Sequence, residues 1–244
     1  MRNSAEYDKS RPESIKEMFG TIAQNYDRAN SILSFNMHKY WNRQLVRNVS
    51  KFSDNPTHFL DLCAGTGEIG LAFMRDLKKE SDIYFLDFCP EMLAIAKQKV
   101  DSVSKHSLHN IRFIQADARQ IPLEENLLDC ITVAYGIRNV PQPELCIRDC
   151  YRILKKGGVF GILELTQPEN FFLKSCHSLY LKTAMPVLGK LVASNKSAYE
   201  YLCSSINSFA SPQKLTEMLY EGEFSKVTKI SLSGGIATLL IAQK

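Results

Sequence analysis

DLCAGTGEIG, Asp61 to Gly70, is the stretch on which the fold of this 244-residue chain turns. An apolar run over 57–62 leads into it, a helical pattern leaves it, and Gly65, Gly67 and Gly70 spell G-x-G-x-x-G. Strand, glycine turn and helix in that order bring the backbone close to a nucleotide-like group. The motif alone does not choose between a dinucleotide, whose pyrophosphate it would cradle, and a nucleoside cofactor that carries no phosphate.

Outward from the turn, short apolar runs alternate with helical stretches. Strands are expected over 57–62, 82–87, 111–116, 127–134 and 158–165, with helices over 67–79, 90–104 and 143–155. Such alternation gives a mostly parallel sheet with helices on both faces. Upstream, 12–52 reads as an N-terminal helical cap with Ile15, Phe19, Ile22, Ala23 and Tyr26 on one face. Downstream, helices are expected over 169–189, with Pro186 ending or kinking the first, and over 196–221. VTKISLSGGIATLLIAQK then closes the chain as two strands joined through Ser233-Gly234-Gly235. The expected fold class is α/β, a Rossmann-like sheet with one antiparallel strand from the C-terminal hairpin. It is read as one domain over 1–244, with cap 12–52 and inserted helices 166–222.

Composition narrows the function. At 45% hydrophobic and 23% charged residues, with a net charge of +4, the chain is globular and only mildly basic, short of the dense stripe that nucleic acid demands. Its seven cysteines, an odd number without Cys-x-x-Cys, suit buried reduced thiols in the cytoplasm. His106 and His109 lie in a polar loop, and no metal site is expected. The opening residues resemble no export or transit signal and no apolar run reaches 18 residues, so neither crossing a membrane nor export is expected.

Three acidic residues follow successive strands. Asp61 ends the first and Asp87, twenty residues after Gly67, ends the second, where it can accept both ribose hydroxyls of an adenosine in NAD or S-adenosyl-L-methionine alike. Asp117-Ala118 follows the third, in the place where class I methyltransferases set an acidic residue beside the adenine. That residue and the closing hairpin favour S-adenosyl-L-methionine. A short-chain dehydrogenase would use Tyr-x-x-x-Lys, which Tyr151 and Lys155 match. Both are read instead as the end of an amphipathic helix, with Lys155 and Lys156 at its C-terminus and Gly157 terminating it.

Three separated blocks are more specific. MFGTIAQNYDRANSILSFNMHKYWNRQL (Met18 to Leu45), YGIRNVP with YRILKKGGVFGILELTQP, and YEYLCSSINSF (Tyr199 to Phe209) together resemble the quinone C-methyltransferases of menaquinone and ubiquinone biosynthesis. Lys155-Lys156-Gly157-Gly158 replaces that family's usual Lys-Pro-Gly-Gly, and Ala134 stands where some members carry a serine beside the cofactor. The resemblance implies methyl transfer from S-adenosyl-L-methionine to a ring carbon of a polyprenyl quinol. It implies cofactor contacts at Thr66, Asp87 and Asp117-Ala118, beside the turn residues Asp61, Gly65 and Gly67.

A ring carbon becomes nucleophilic when a ring hydroxyl loses its proton, and a free phenol has a pKa of about 10. Arg138 and Asn139 are therefore candidates to hold the phenolate, directly or through water, although Arg138 could instead pair with a carboxylate to fix its loop. His38, with a pKa suited to proton transfer, and Asp27 are candidates on the cap. The Phe- and Leu-rich stretch 170–192 can line a channel for the tail, lie against a membrane surface or simply pack on the sheet. The expected partner is a polyprenyl quinol rather than nucleic acid, with peripheral membrane contact and a homodimer as options. Two other readings stand beside this one: a class I methyltransferase for another small molecule or RNA, although the loop after strand four lacks a proline pair, and a non-catalytic scaffold.

Overall fold

The computed structural model describes residues 11–52, 56–77, 79–103, 109–183 and 196–244. Seven strands, β1 (His58–Leu62), β2 (Asp82–Asp87), β3 (Asn110–Gln115), β4 (Leu128–Ala134), β5 (Leu154–Leu165), β6 (Lys226–Leu232) and β7 (Ala237–Gln243), form one sheet. Their order is β3-β2-β1-β4-β5-β7-β6. The first five are parallel, and β7 runs antiparallel between β5 and β6.

Burial explains the strand patterns. Phe59 to Leu62 of β1 are all buried because helices cover both faces of this central strand, whereas the edge strand β6 is mostly exposed or partly buried, with only Leu232 buried. Ala237 to Ala242 are buried without interruption, as befits a hairpin strand inserted into the sheet interior.

Helices α1 (Pro12–Ile22), α2 (Tyr26–Leu33) and α3 (Met37–Phe52) form the cap, with one short 3₁₀ turn between the first two. Trp41, Leu45, Val46 and Val49 of α3 join the core on the sheet face that also receives α4 (Glu68–Asp76) and α5 (Pro90–Val103). The other face is covered by α6 (Pro143–Ile153) and by α9 (Pro212–Glu221). Between β5 and β6 lie α7 (Phe171–Lys182) and α8 (Lys196–Ser208) as well as α9.

Two boundaries depart from the periodicity. The helix expected over 143–155 ends at Ile153, and Lys155 lies on β5, where its Nζ pairs with Asp129 Oδ1 at 2.6 Å. Leu154 is already paired with Leu128 of β4, so sheet registry overrides the helix-terminal reading of the lysines. The single helix expected over 196–221 is two. Ser211 caps α9 by accepting the Lys214 N–H at 3.2 Å, and Pro212 occupies its first turn. Pro186 and His106 lie outside the described residues. Cys89, Cys130, Cys146 and Cys150 are buried free thiols, whereas Cys176 is exposed.

Candidate active site

The glycine turn is held from beneath. Gly70 packs so closely that a Cβ there would lie 2.2 Å from the Phe85 ring. Its N–H, one of the orphan donors of the α4 N-terminus, reaches Asp61 Oδ2 at 2.8 Å. Asp61 is buried, which pushes its carboxyl well above the usual range, with the Gly70 bond opposing. Thr66 is also buried and donates to Asp27 Oδ1 of the cap at 2.5 Å, while the other Asp27 oxygen pairs with Lys99 of α5. This tie latches the cap to the turn. Asp61, Thr66, Gly67 and Asp27 line neither of the two cavities described next.

A smaller cavity of about 70 Å³ opens at the carboxyl ends of β1, β2 and β3, and its walls include Gly65, Asp87, Asp117 and Ala118. Asp87 Oδ2 accepts the Gly65 N–H at 2.8 Å, and its Oδ1 accepts the Cys89 N–H at 2.9 Å. Burial lifts its pKa to about 6 despite these bonds. Asp117 is more exposed, and Arg119, which grips it with Nη2 at 2.7 Å, holds its carboxyl below the usual range. Phe88 and Met92 add an apolar wall that sequence reasoning missed. The available signal was Phe88 directly after Asp87.

A larger cavity of about 420 Å³ lies between the cap, α7, α8 and the loop after β4. Its walls include Leu33, Trp41, Leu165, Tyr180, Leu181 and Ile206, with Arg138, Asn139 and His38 among its few polar groups. Four residues, Phe19, Tyr26, Tyr135 and Asn139, belong to the walls of both cavities. The two spaces therefore adjoin at a shared partition.

The polar groups of the larger cavity are tightly held. Arg138 is buried and donates from Nη1 to Glu164 Oε1 at 2.5 Å and to the Tyr135 carbonyl at 2.6 Å. Burial raises the Glu164 carboxyl, opposed by the Arg138 charge; burial also works against the arginine's charge, but Glu164 outweighs it. Asn139 Nδ2 donates to the Tyr135 carbonyl at 3.3 Å, and its Oδ1 accepts from the Tyr201 hydroxyl at 3.0 Å. Glu164, Tyr26 and Tyr201 join the site through tertiary contacts that local sequence patterns do not encode.

His38 is 4% exposed, and its Nδ1 lies 2.7 Å from Ser34 Oγ. That hydroxyl donates its only proton to the Asn30 carbonyl at 2.6 Å, so it accepts from Nδ1–H. The proton count leaves Nε2 as the bare nitrogen of the neutral ring, and Nε2 has no hydrogen-bond partner. Glu68 Oε2 stands 3.8 Å from it, beyond hydrogen-bond range. Burial, reinforced by Lys39, lowers the His38 pKa, with Asp27 opposing, and so favours the neutral base.

A seven-stranded sheet in this order, with a glycine turn and acidic residues at the ends of β2 and β3, defines the class I methyltransferase fold. Two solved structures described as S-adenosylmethionine-dependent methyltransferases share it. One, from Thermotoga maritima, has a TM-score of 0.62 at 16% identity, covering 93% of this chain and 99% of that one. The other, from Methanococcus maripaludis, has a TM-score of 0.61 at 20% identity and covers 91% of both.

The chain belongs to the ubiE/COQ5 methyltransferase family, which it matches over residues 6–244. The demethylmenaquinone methyltransferase of Protochlamydia amoebophila is 43% identical over 98% of both chains. That of Chlamydia caviae is 37% identical over 94% of this chain and 96% of the relative.

Proposed function

We propose that this protein transfers the methyl group of S-adenosyl-L-methionine to a ring carbon of a polyprenyl quinol, with demethylmenaquinol as the acceptor. The observation that carries the reading is the pair of adjoining cavities, one with acidic and backbone polar groups, the other large and mainly apolar. The names of the similar proteins point to the same acceptor.

The residues around the smaller cavity suit the cofactor. No atom lies within 4 Å of a Cβ placed at Gly65, so a bulky group can rest against that backbone. Asp87 would take the ribose hydroxyls, and Asp117 with Ala118 the adenine amine, beside Phe88 and Met92. Bound there, the cofactor supplies an electrophilic sulfonium methyl.

On the wall of the larger cavity, neutral His38 accepts the proton of the ring hydroxyl, and loss of the ring-carbon proton after methyl transfer restores the aromatic quinol. Ser34 holds the imidazole in the required tautomer. Arg138, fixed by Glu164, presents positive charge to the phenolate, and Asn139 orients it at the partition. The apolar walls exclude water and accommodate the tail. Asp27 acts at a distance from the reacting atoms, as the latch between cap and glycine turn.

Incubation with S-adenosyl-L-methionine and each reduced demethyl quinone, followed by mass spectrometry, tests the reading. The naphthoquinol is expected to gain one methyl group. Methylation of some other metabolite or of RNA, with both quinols untouched, would overturn it.

A further inference from the structure

We infer that the rim of the larger cavity is a docking surface for an anionic lipid bilayer. Ten large hydrophobic side chains are exposed among the described residues, and seven of them sit on just two segments, the start of α3 with the turn before it and α7. On the first segment, Phe35 is 72% exposed. On the second, Phe171 and Phe172 are 84% and 72% exposed. Single exposed apolar residues are ordinary on a protein surface, but such clustering is not.

The two segments adjoin. The Tyr180 hydroxyl of α7 donates to the Leu33 carbonyl at 2.6 Å, and the rings of Phe35 and Tyr180 lie 6.1 Å apart. Phe35 and Met37 on one side, with Leu173 and Cys176 on the other, also line the larger cavity. The exposed aromatic cluster is therefore its mouth. At the turn, Phe35 and Asn36 adopt positive φ values of 49° and 61°. A left-handed phenylalanine is sterically unfavourable, and here it sits at an exposed tip.

Charge names the partner. The two segments themselves, residues 35–43 and α7, contain four Lys and Arg and no Asp or Glu. The chain carries only +4 overall, so these four cations equal its whole net charge. Glu169, just before α7, is paired with Lys229 of β6 at 3.4 Å. Exposed aromatic side chains interspersed with cations match the interface of an anionic bilayer, where rings enter the headgroup layer and lysines meet lipid phosphates. A bilayer also holds polyprenyl chains, so a tail can pass from lipid into the cavity without crossing water. Among the described residues no helix is long and apolar enough to span a membrane, so the contact is peripheral.

Flotation of the full-length protein with phosphatidylcholine vesicles, with and without phosphatidylglycerol, tests this directly and needs no substrate. The protein is expected to float with the anionic vesicles, less with neutral ones, and less as salt rises. The double variant Phe171→Ser/Phe172→Ser should lower vesicle partitioning about tenfold or more, and Lys174→Glu should weaken the anionic preference. The double variant should methylate a short-tailed, water-soluble demethyl quinol as the wild type does, because neither phenylalanine lines the cavity. A failed quinol assay in both proteins would count against the proposed reaction and leave flotation as the reading of the rim. Wild-type protein that stays in the aqueous phase with anionic vesicles would overturn the proposal. So would a dimer, seen by sedimentation, that the double variant dissociates, because a second copy would then cover the rim.

Discussion

Replacing Asp87 by asparagine tests both halves of its assigned role. Burial lifts the carboxyl from 3.8 to about 6. A shift of about two units corresponds to about 3 kcal/mol by which the folded protein disfavours the ionised group. The folded value lies above the unfolded one, so the contribution to stability is fully present below pH about 4 and is lost as the pH rises to about 6. An uncharged amide would remove that slope. It would also present its nitrogen to one of the two backbone donors, Gly65 N–H or Cys89 N–H, at a cost of about 1–3 kcal/mol. Near pH 7 the two effects largely cancel. Urea unfolding at a series of pH values should show the variant gaining about 3 kcal/mol on the wild type between pH about 4 and about 7. Cofactor affinity should move the other way. Two hydrogen bonds to a charged acceptor contribute about 1.5–3 kcal/mol each, so calorimetry should show a loss of about 10²-fold or more. Parallel stability curves would refute the buried charge, and near-wild-type affinity would refute the ribose contact.

His38→Gln should lower the single-turnover rate by about 10²- to 10⁴-fold while leaving calorimetric affinity for the cofactor unchanged; a rate within about threefold of wild type would remove His38 from the chemistry. In the wild type, the acidic limb of the pH–rate profile should lie below the ordinary histidine value of about 6.5, because burial lowers the His38 pKa. Glu164→Gln leaves Arg138 charged and buried without its counter-ion and should destabilise the fold by about 3 kcal/mol or more in urea unfolding. Thr66→Val breaks the contact with Asp27 and should speed hydrogen exchange in α2, with a stability loss of about 1 kcal/mol.

Local chemistry made much of the fold legible. Strand β2 lies over 82–87 as the apolar run indicates, and the Ser233-Gly234-Gly235 signal does join two antiparallel strands. The element ends at 153–154 and 209–211 were less legible, because sheet registry at Leu154 and a proline-started helix at Pro212 decide them. At the site, Gly65, Asp87, Asp117 and Ala118 come together around one cavity, and Arg138, Asn139 and His38 around the other. Asp61, Thr66 and Gly67 line neither cavity, a distinction of three-dimensional placement that spacing does not report. The Ser34–His38 contact closes across the turn between α2 and α3, where Phe35 and Asn36 are left-handed, and so lay beyond helical spacing rules. The pairing of Arg138 with Glu164 spans 26 positions and depends on the closeness of β4 and β5.

The partition between the cavities also bears on how this enzyme can diverge. Phe19, Tyr26, Tyr135 and Asn139 touch both spaces, so a substitution there that reshapes the acceptor side disturbs the cofactor side as well. Leu33, Leu181, Leu202 and Ile206 touch only the larger space. Variation in acceptor preference can therefore accumulate on α2, α7 and α8 while the donor half stays constant, which makes those helices the productive place to seek new acceptor specificity.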